Sequence, residues 1–333
     1  MKISINKKRI GDDSPVYFIA EAGINHNGDS KIAKKLISAA KDSNADAVKF
    51  QTFRADDITT TDSIYYKLLK NLELDDDVYF ELSDFSKSEG ITFLSTPFSN
   101  KAVELLSKIK LPAYKIASGD LTDFPLLENI SKKNKPIILS TGMANLTEIK
   151  QAVKVIEKNN NKIILLHSIS GYPYPIKEAN LKAITTISKN FDYPVGFSDN
   201  GNNNLIPLMA VALGAKIIEK HFTLNKKMKG PDQPISATPN EFANLVQQSR
   251  DFERMLGDGI KKCQNSEIST RKNARRSLTA LSNISKGEKI MHDMIAIKRP
   301  ATGIEPKYYS KIIGKFAKRN IKSGKTLHWN DIK

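Results

Sequence analysis

Short apolar runs recur along the first 260 residues, and each is followed by a stretch whose apolar positions repeat at helical spacing. The runs fall at 16–22 (VYFIAEA), 46–51 (DAVKFQ), 91–96 (ITFLST), 113–118 (AYKIAS), 135–141 (KPIILST), 162–168 (KIILLHS), 194–199 (PVGFSD) and 215–221 (AKIIEKH). The amphipathic stretches lie near 30–43, 75–89, 100–109, 123–133, 146–158, 177–189, 204–213 and 239–256. Runs this rich in Val, Ile and Leu suit parallel strands buried on both faces. Eight strand–helix units in about 250 residues predict an α/β chain folded as a TIM (β/α)8 barrel. Thr238-Pro239-Asn240-Glu241 and Asn145-Leu146-Thr147-Glu148 read as helix starts, each with a capping side chain and a nearby acid. Residues 2–9 read as a short strand or hairpin lid.

After Gly257-Asp258-Gly259 the period breaks. The pattern assigns residues 1–260 to the barrel, 261–272 to a polar linker, and 273–333 to a small β-rich domain of short strands and turns. Gly287 and Gly324 mark two similar turns in that domain. A domain of that size is marginal alone, so it is expected to lean on the barrel or on a partner chain.

Charge changes the picture only at the end of the chain. The formal net charge is +16; residues 273–333 carry 14 Lys/Arg against 4 Asp/Glu, residues 261–272 carry 4 against 1, and residues 1–260 carry 34 against 31. Nucleic-acid binding, steering of an anionic small substrate and lysine-rich composition all compete to explain the excess. The aromatic residues of the tail, Tyr308, Tyr309, Phe316 and Trp329, read as core or edge residues rather than interleaved stacking groups, which argues against nucleic acid. No apolar run is long enough to span a membrane. The single cysteine, Cys263, and the absence of a secretory pattern at the start fit a cytoplasmic protein.

In a TIM barrel the chemistry gathers at the C-terminal strand ends. Those ends hold Glu21, Lys49, Gln51, Thr96, Lys115, Ser118, Asp120, Ser140, Ser168, Ser170, Ser198, Asp199, Asn200 and the Glu219-Lys220-His221 cluster. Lys49 and Lys115 sit within apolar strands, and a buried lysine is costly unless an anion neutralises it. With the hydroxyls of Thr96, Ser118, Ser140 and Ser198 they suggest a phosphate cage. A Schiff-base lysine and a buried salt bridge are the competing readings. Glu21, Asp120 and Asp232 are candidates for proton transfer or for holding a sugar, and His221 for ligating a metal.

Taken together, AEAGINHNGD, VKFQ, FLSTPFS, YKIASGD, LSTGMANL, LLHSISGYP, GFSDN, IEKHFTL with GPD, and KRPATG resemble the sialic acid synthase family, over almost the whole chain and in motif order. The tail resembles the SAF domain of that family, which is similar to type III antifreeze protein. The resemblance implies a transferase that condenses phosphoenolpyruvate with an open-chain N-acetylated aminosugar, giving a nine-carbon 2-keto acid and phosphate. N-acetylmannosamine and 2,4-diacetamido-2,4,6-trideoxy-mannose are the two sugars it leaves open. It places Lys49, Thr96, Lys115, Ser118, Ser140 and Ser198 on phosphoenolpyruvate-binding positions. Glu21, Asp120 and Asp232 fall on acid–base positions, and Gln51, Ser170 and Tyr172 on sugar-contacting ones. His221 and Asn200 fall on metal-ligand positions. The resemblance further implies a homodimer with exchanged SAF domains, in which Arg299 reaches into the partner's site.

The chain departs from the family pattern in four places. Asn200 stands where a metal-binding His is usual, which favours a harder ion, Mn²⁺ or Mg²⁺, over Zn²⁺. The stretch Thr59 to Tyr65 is short, Gln233 replaces a His, and Asp120 replaces a Glu. A barrel that binds the sugar or phosphoenolpyruvate without efficient turnover, and a related 3-deoxy-ulosonate synthase, are the alternatives at this point.

Overall fold

A computed structural model describes residues 3–333; residue 2, the first of the expected N-terminal lid, lies outside the described residues. The chain divides into two compact units, Met1–Gly257 and Asp258–Lys333.

The first unit opens on a hairpin of β1 (Ile3–Ile5) and β2 (Lys8–Ile10), turned by Asn6 and Lys7, both with positive φ. Two consecutive positive φ values match the right-handed twist of a tight hairpin. Eight parallel strands follow: β3 (Tyr17–Gly23), β4 (Ala47–Thr52), β5 (Thr92–Pro97), β6 (Tyr114–Ile116), β7 (Ile137–Ser140), β8 (Ile163–Ser168), β9 (Val195–Asp199) and β10 (Ile217–His221). They form one sheet in the order β5-β4-β3-β10-β9-β8-β7-β6. β5 and β6 lie side by side without a registered ladder, so the barrel is closed apart from that seam.

Strand parity sorts the side chains into two cores. Phe18, Ala20, Val48, Phe50, Phe93, Leu139, Leu165, Phe197 and Ile218 face outward and pack with the surrounding helices. Tyr17, Ile19, Ala47, Leu94, Ala113, Ile138, Ile164, Leu166 and Ile217 face inward and fill the barrel axis. Ile3, Ile5 and Ile10 of the hairpin join this inner cluster at the starts of the strands. The expected lid is therefore a floor: its three isoleucines seal the end of the barrel opposite the polar strand ends. Gly196 belongs to the inner layer because a Cβ there would lie 2.5 Å from the Ile217 carbonyl oxygen and 2.7 Å from Leu166 Cδ2. Both expected helix starts are capping boxes, Asn145 with Glu148 and Thr238 with Glu241.

Between β4 and the helix Asp76–Glu89 the polar insert holds two short helices, Ala55–Ile58 and Tyr66–Lys70. Ile24, Phe53 and Leu72 pin the insert to the loop after β3.

The second unit is built on an antiparallel pair, β11 (Ser277–Ala280) and β12 (Ile295–Lys298), extended by single bridges such as Thr279 with Thr326 and Ile284 with Ile321. Leu278, Ile284, Ile290, Ile304, Ile312 and Leu327 form its own core. Gly287 and Gly324 both adopt positive φ at the two similar turns. The stretch expected as linker carries ordered structure: a 3₁₀ turn at Asn265–Glu267 runs into the helix Ile268–Ala274.

Candidate active site

The inward parity that fills the barrel with isoleucine and leucine becomes polar at the strand ends. Lys49 and Gln51 alternate on β4, Glu219 and His221 on β10, and Ser198 with Asn200 at the end of β9. Strand register sets Glu21 between Lys49 and His221, Glu219 beside Ser198, and Gln51 beside Thr96. A cleft of about 460 Å³ opens above them. Its lining includes Glu21, Lys49, Gln51, Thr96, Lys115, Ser118, Ser140, Ser170, Tyr172, Ser198, Asn200, His221 and Asp232, which are all but two of the expected site residues. A larger hollow of about 860 Å³ near Asp12 and Lys216 is lined by exposed charges and apolar strand starts, with no convergent buried group.

The floor of the cleft is a buried charge cluster. Lys49 Nζ lies 2.5 Å from Glu21 Oε2 and 3.7 Å from Glu219 Oε2, and it donates to Thr96 Oγ1 at 3.1 Å. Lys115 Nζ lies 3.6 Å from Glu219 Oε1, which also accepts a hydrogen bond from Ser198 Oγ at 2.9 Å. Gln51 Nε2 donates to Glu21 Oε1 at 3.2 Å. The two lysines expected to await an anion thus already have protein carboxylates as partners. Two positive and two negative groups sharing one dry site offset the desolvation that either sign alone would suffer.

The two acids are driven apart. Burial pushes the Glu21 carboxyl up, and the pull of Lys49 does not fully offset it. Burial also opposes the charge of Glu219, but Lys115, Lys49 and the Ser198 hydroxyl hold its carboxyl below the usual range. Burial lowers Lys115, while Lys49 stays raised because Glu21 and Glu219 outweigh its burial. A raised and a lowered carboxyl side by side are the arrangement that separates an acid from a fixed anion.

On one side of the cluster are hydroxyls. Ser118 Oγ is 3.1 Å from Ser168 Oγ and accepts from the Gly142 N–H at 3.0 Å. On the other side, His221 Nδ1 is buried without a hydrogen-bond partner, 3.8 Å from Asp232 Oδ2. The rings of His221 and Tyr172 lie nearly perpendicular, at a centroid distance of 6.0 Å. Asn200 Nδ2 donates to the Ile169 carbonyl at 2.7 Å, which leaves the amide oxygen as its uncommitted polar atom. Among the described residues no group of three or more His, Cys, Asp or Glu side chains is arranged to hold a metal. An imidazole, a carboxylate and an amide oxygen nonetheless fit a hard divalent ion that retains waters.

Asp120 does not line the cleft. It ends the 3₁₀ turn Ser118–Asp120 after β6, where three residues per turn point Ser118 and Asp120 in different directions. Its Oδ2 is buried without a partner, and burial with nearby Asp123 raises the carboxyl to about 6. Arg299 belongs to the second unit, in the segment that follows β12.

Sequence reasoning left Glu219 without a role although it stands at the centre of the cluster. The signal was available: Glu219 is two residues from His221 on one strand, so the two share a face. Gln233 sits away from the cleft surface. It is fully buried, donates to the Asn25 carbonyl at 3.0 Å and accepts from Thr223 Oγ1, tying the GPD loop to the loop after β3. Residues 59–65 contribute nothing to the cleft lining.

The chain is similar to known proteins over nearly its whole length. Residues 36–261 match the NeuB family and residues 275–333 the SAF domain. An uncharacterized protein of Methanocaldococcus jannaschii is 47% identical over 99% of this chain and 98% of its own length. The N,N'-diacetyllegionaminic acid synthase of Campylobacter jejuni is 44% identical over 93% of this chain and 98% of its own. The crystal structure of N-acetylneuraminic acid (sialic acid) synthetase from Leptospira borgpetersenii, in complex with citrate, superposes with a TM-score of 0.78 at 37% identity, covering 81% of this chain and 95% of that one. With an eight-stranded barrel, a polar cleft at its strand ends and relatives matched over nearly their full length, this chain belongs to the NeuB family of sialic acid synthases and carries a SAF domain at its C-terminal end.

Proposed function

We propose that this protein condenses phosphoenolpyruvate with an open-chain N-acetylated aminosugar, giving a nine-carbon 2-keto acid and phosphate. One observation carries the reading: both buried lysines and the hydroxyls of Thr96, Ser118, Ser140 and Ser198 line a single cleft at the strand ends. In this reading Lys49 and Lys115 bind the phosphate and carboxylate of phosphoenolpyruvate, and the four hydroxyls donate to its oxygens. Gln51, Ser170 and Tyr172 position the sugar beside it. Carbon 3 of phosphoenolpyruvate bonds to the aldehyde carbon of the sugar, water adds at carbon 2, and the C–O bond to phosphate breaks. Glu21 relays a proton to the aldehyde oxygen as it becomes the new hydroxyl, and Asp232 takes the proton of the water. Asp120 stands close enough to Lys115 for their charges to interact, and we assign it support of that lysine.

His221 and Asp232 would hold Mn²⁺ or Mg²⁺ with the Asn200 amide oxygen. When bound, the ion supplies Lewis acidity at the sugar aldehyde. We further propose a homodimer in which the partner's Arg299 completes the sugar side of the cleft. The first sugar to test is 2,4-diacetamido-2,4,6-trideoxy-mannose, because a relative named as an N,N'-diacetyllegionaminic acid synthase is 44% identical. N-acetylmannosamine is the second.

The test is phosphate release from phosphoenolpyruvate with each sugar, in Mn²⁺, Mg²⁺ or chelator. Sugar-dependent release that chelator abolishes is expected. No release with either sugar, from folded protein, would turn the assignment to a binding-only barrel.

A further inference from the structure

On the outward face of β9 and β10, away from the cleft, lies a second buried charge cluster. Lys220 Nζ is 2.5 Å from Asp199 Oδ2, and both side chains are almost fully enclosed. The ammonium donates its remaining protons to the carbonyls of Gly201 at 2.9 Å and Asn203 at 3.2 Å. The other carboxylate oxygen, Asp199 Oδ1, accepts from Tyr174 Oη at 2.7 Å and from the Gly201 N–H at 2.9 Å. Every donor of the lysine has a partner, and each carboxylate oxygen has at least one.

Such a pair is a poor device for stability alone, since well-packed apolar side chains of similar volume do as well or better. What it does here is join loops. Gly201 and Asn203 belong to the loop after β9, which begins with Asn200. Tyr174 belongs to the loop after β8, which carries Ser170 and Tyr172. A further strut, Asn200 Nδ2 to the Ile169 carbonyl at 2.7 Å, connects the same two loops on the cleft side. The join is tight: a Cβ on Gly201 would lie 3.0 Å from Asp199 Oδ1 and 3.3 Å from Tyr174 Oη.

We propose that Lys220, Asp199 and Tyr174 are a positioning triad that joins the loops after β8 and β9 and so holds Ser170 and Tyr172 where they meet the aminosugar. The triad touches no substrate. It acts through the loops, whereas Lys49, Thr96, Lys115, Ser118 and Ser140 stand on or just after β4 to β7. The substrate half of this proposal rests on the synthase reading above; the loop half does not.

Tyr174→Phe removes one hydroxyl and keeps the ring. Lys220→Met combined with Asp199→Asn removes both charges together and avoids leaving one buried alone. In each variant the amides of residues 169–175 and 200–204 are expected to exchange with deuterium about tenfold faster, while strands β3 to β8 keep their protection. The KM for the aminosugar is expected to rise about tenfold, with the KM for phosphoenolpyruvate within about twofold of wild type. Unchanged exchange in both loops, or a uniform rise across the barrel, would overturn the triad. So would equal changes in the two KM values from an enzyme of wild-type stability. If the wild-type protein releases no phosphate with any sugar, the synthase reading fails, and deuterium exchange alone decides the triad.

Discussion

Lys49 Nζ and Glu21 Oε2 lie 2.5 Å apart on neighbouring strands, in a pair whose side chains are 3% and 4% exposed. At that depth neither charge is tolerable alone, so the pair is sensitive to losing either member. Lys49→Met leaves Glu21 and Glu219 with only Lys115 between them, and is expected to cost about 3–5 kcal/mol of folding free energy. Glu21→Gln is milder, about 1–2 kcal/mol, because Lys49 keeps Glu219. Urea denaturation reads both values. In the phosphate-release assay each variant should fall at least about 100-fold below wild type.

The stability–pH profile contains two opposed contributions. Asp120 has its carboxyl raised to about 6 from 3.8, so between those values the folded chain holds a proton that the unfolded chain has lost. Its contribution to stability is therefore lost as pH rises from 3.8 to 6. Asp120→Asn removes this slope and is expected to add roughly 1–2 kcal/mol at pH 7, reduced by screening at a partly exposed site.

His26 runs the other way. It is fully buried, accepts from the Gly28 N–H through Nδ1, and is lowered to about 4 by its burial. The unfolded chain takes up a proton below pH 6.5 that the folded chain refuses, so stability falls as pH drops from 6.5 to 4. His26→Gln should flatten that limb of a thermal-denaturation series while leaving the Asp120 limb in place.

Gln233→Ala opens the buried link between the GPD loop and the loop after β3. The Asn25 carbonyl and the Thr223 hydroxyl each lose a partner, at a cost of about 2 kcal/mol. Since Gln233 follows Asp232 directly, the KM for the sugar should rise as well. A wild-type KM in a destabilised variant would limit Gln233 to stability.

Gly196→Ala places a methyl group 2.5 Å from the Ile217 carbonyl oxygen inside the barrel. Backbone cannot yield there without moving β10, so overpacking of about 2–3 kcal/mol is expected, read as a lower melting temperature.

For the metal, the readout need not be activity. His221→Gln is expected to weaken Mn²⁺ binding about 10–100-fold in a calorimetric or electron-paramagnetic titration. Equal affinity in wild type and variant would remove His221 from the donor set.

Local order was legible in the sequence because it rests on local rules. Regularly spaced runs of Val, Ile and Leu announced eight buried strands, and Thr238 with Glu241 announced a helix start from side-chain chemistry alone. The two-residue period of a strand places Lys49 with Gln51, and Glu219 with His221, on common faces. What a one-dimensional pattern does not hold is distance across the barrel axis, which closure and strand register decide. Only the folded barrel brings Glu219 within 3.7 Å of Lys49 and 3.6 Å of Lys115, turning two lysines that read as an empty anion cage into a neutralised cluster. Only tertiary packing makes the N-terminal hairpin a floor, since Ile3, Ile5 and Ile10 find their apolar partners at the strand starts. It likewise turns Asp120 out of the cleft and buries Gln233 behind it. The kinds of residue at the site follow from the chain; which of them meet, and in what charge state, follows from the low-dielectric interior that the closed sheet creates around them.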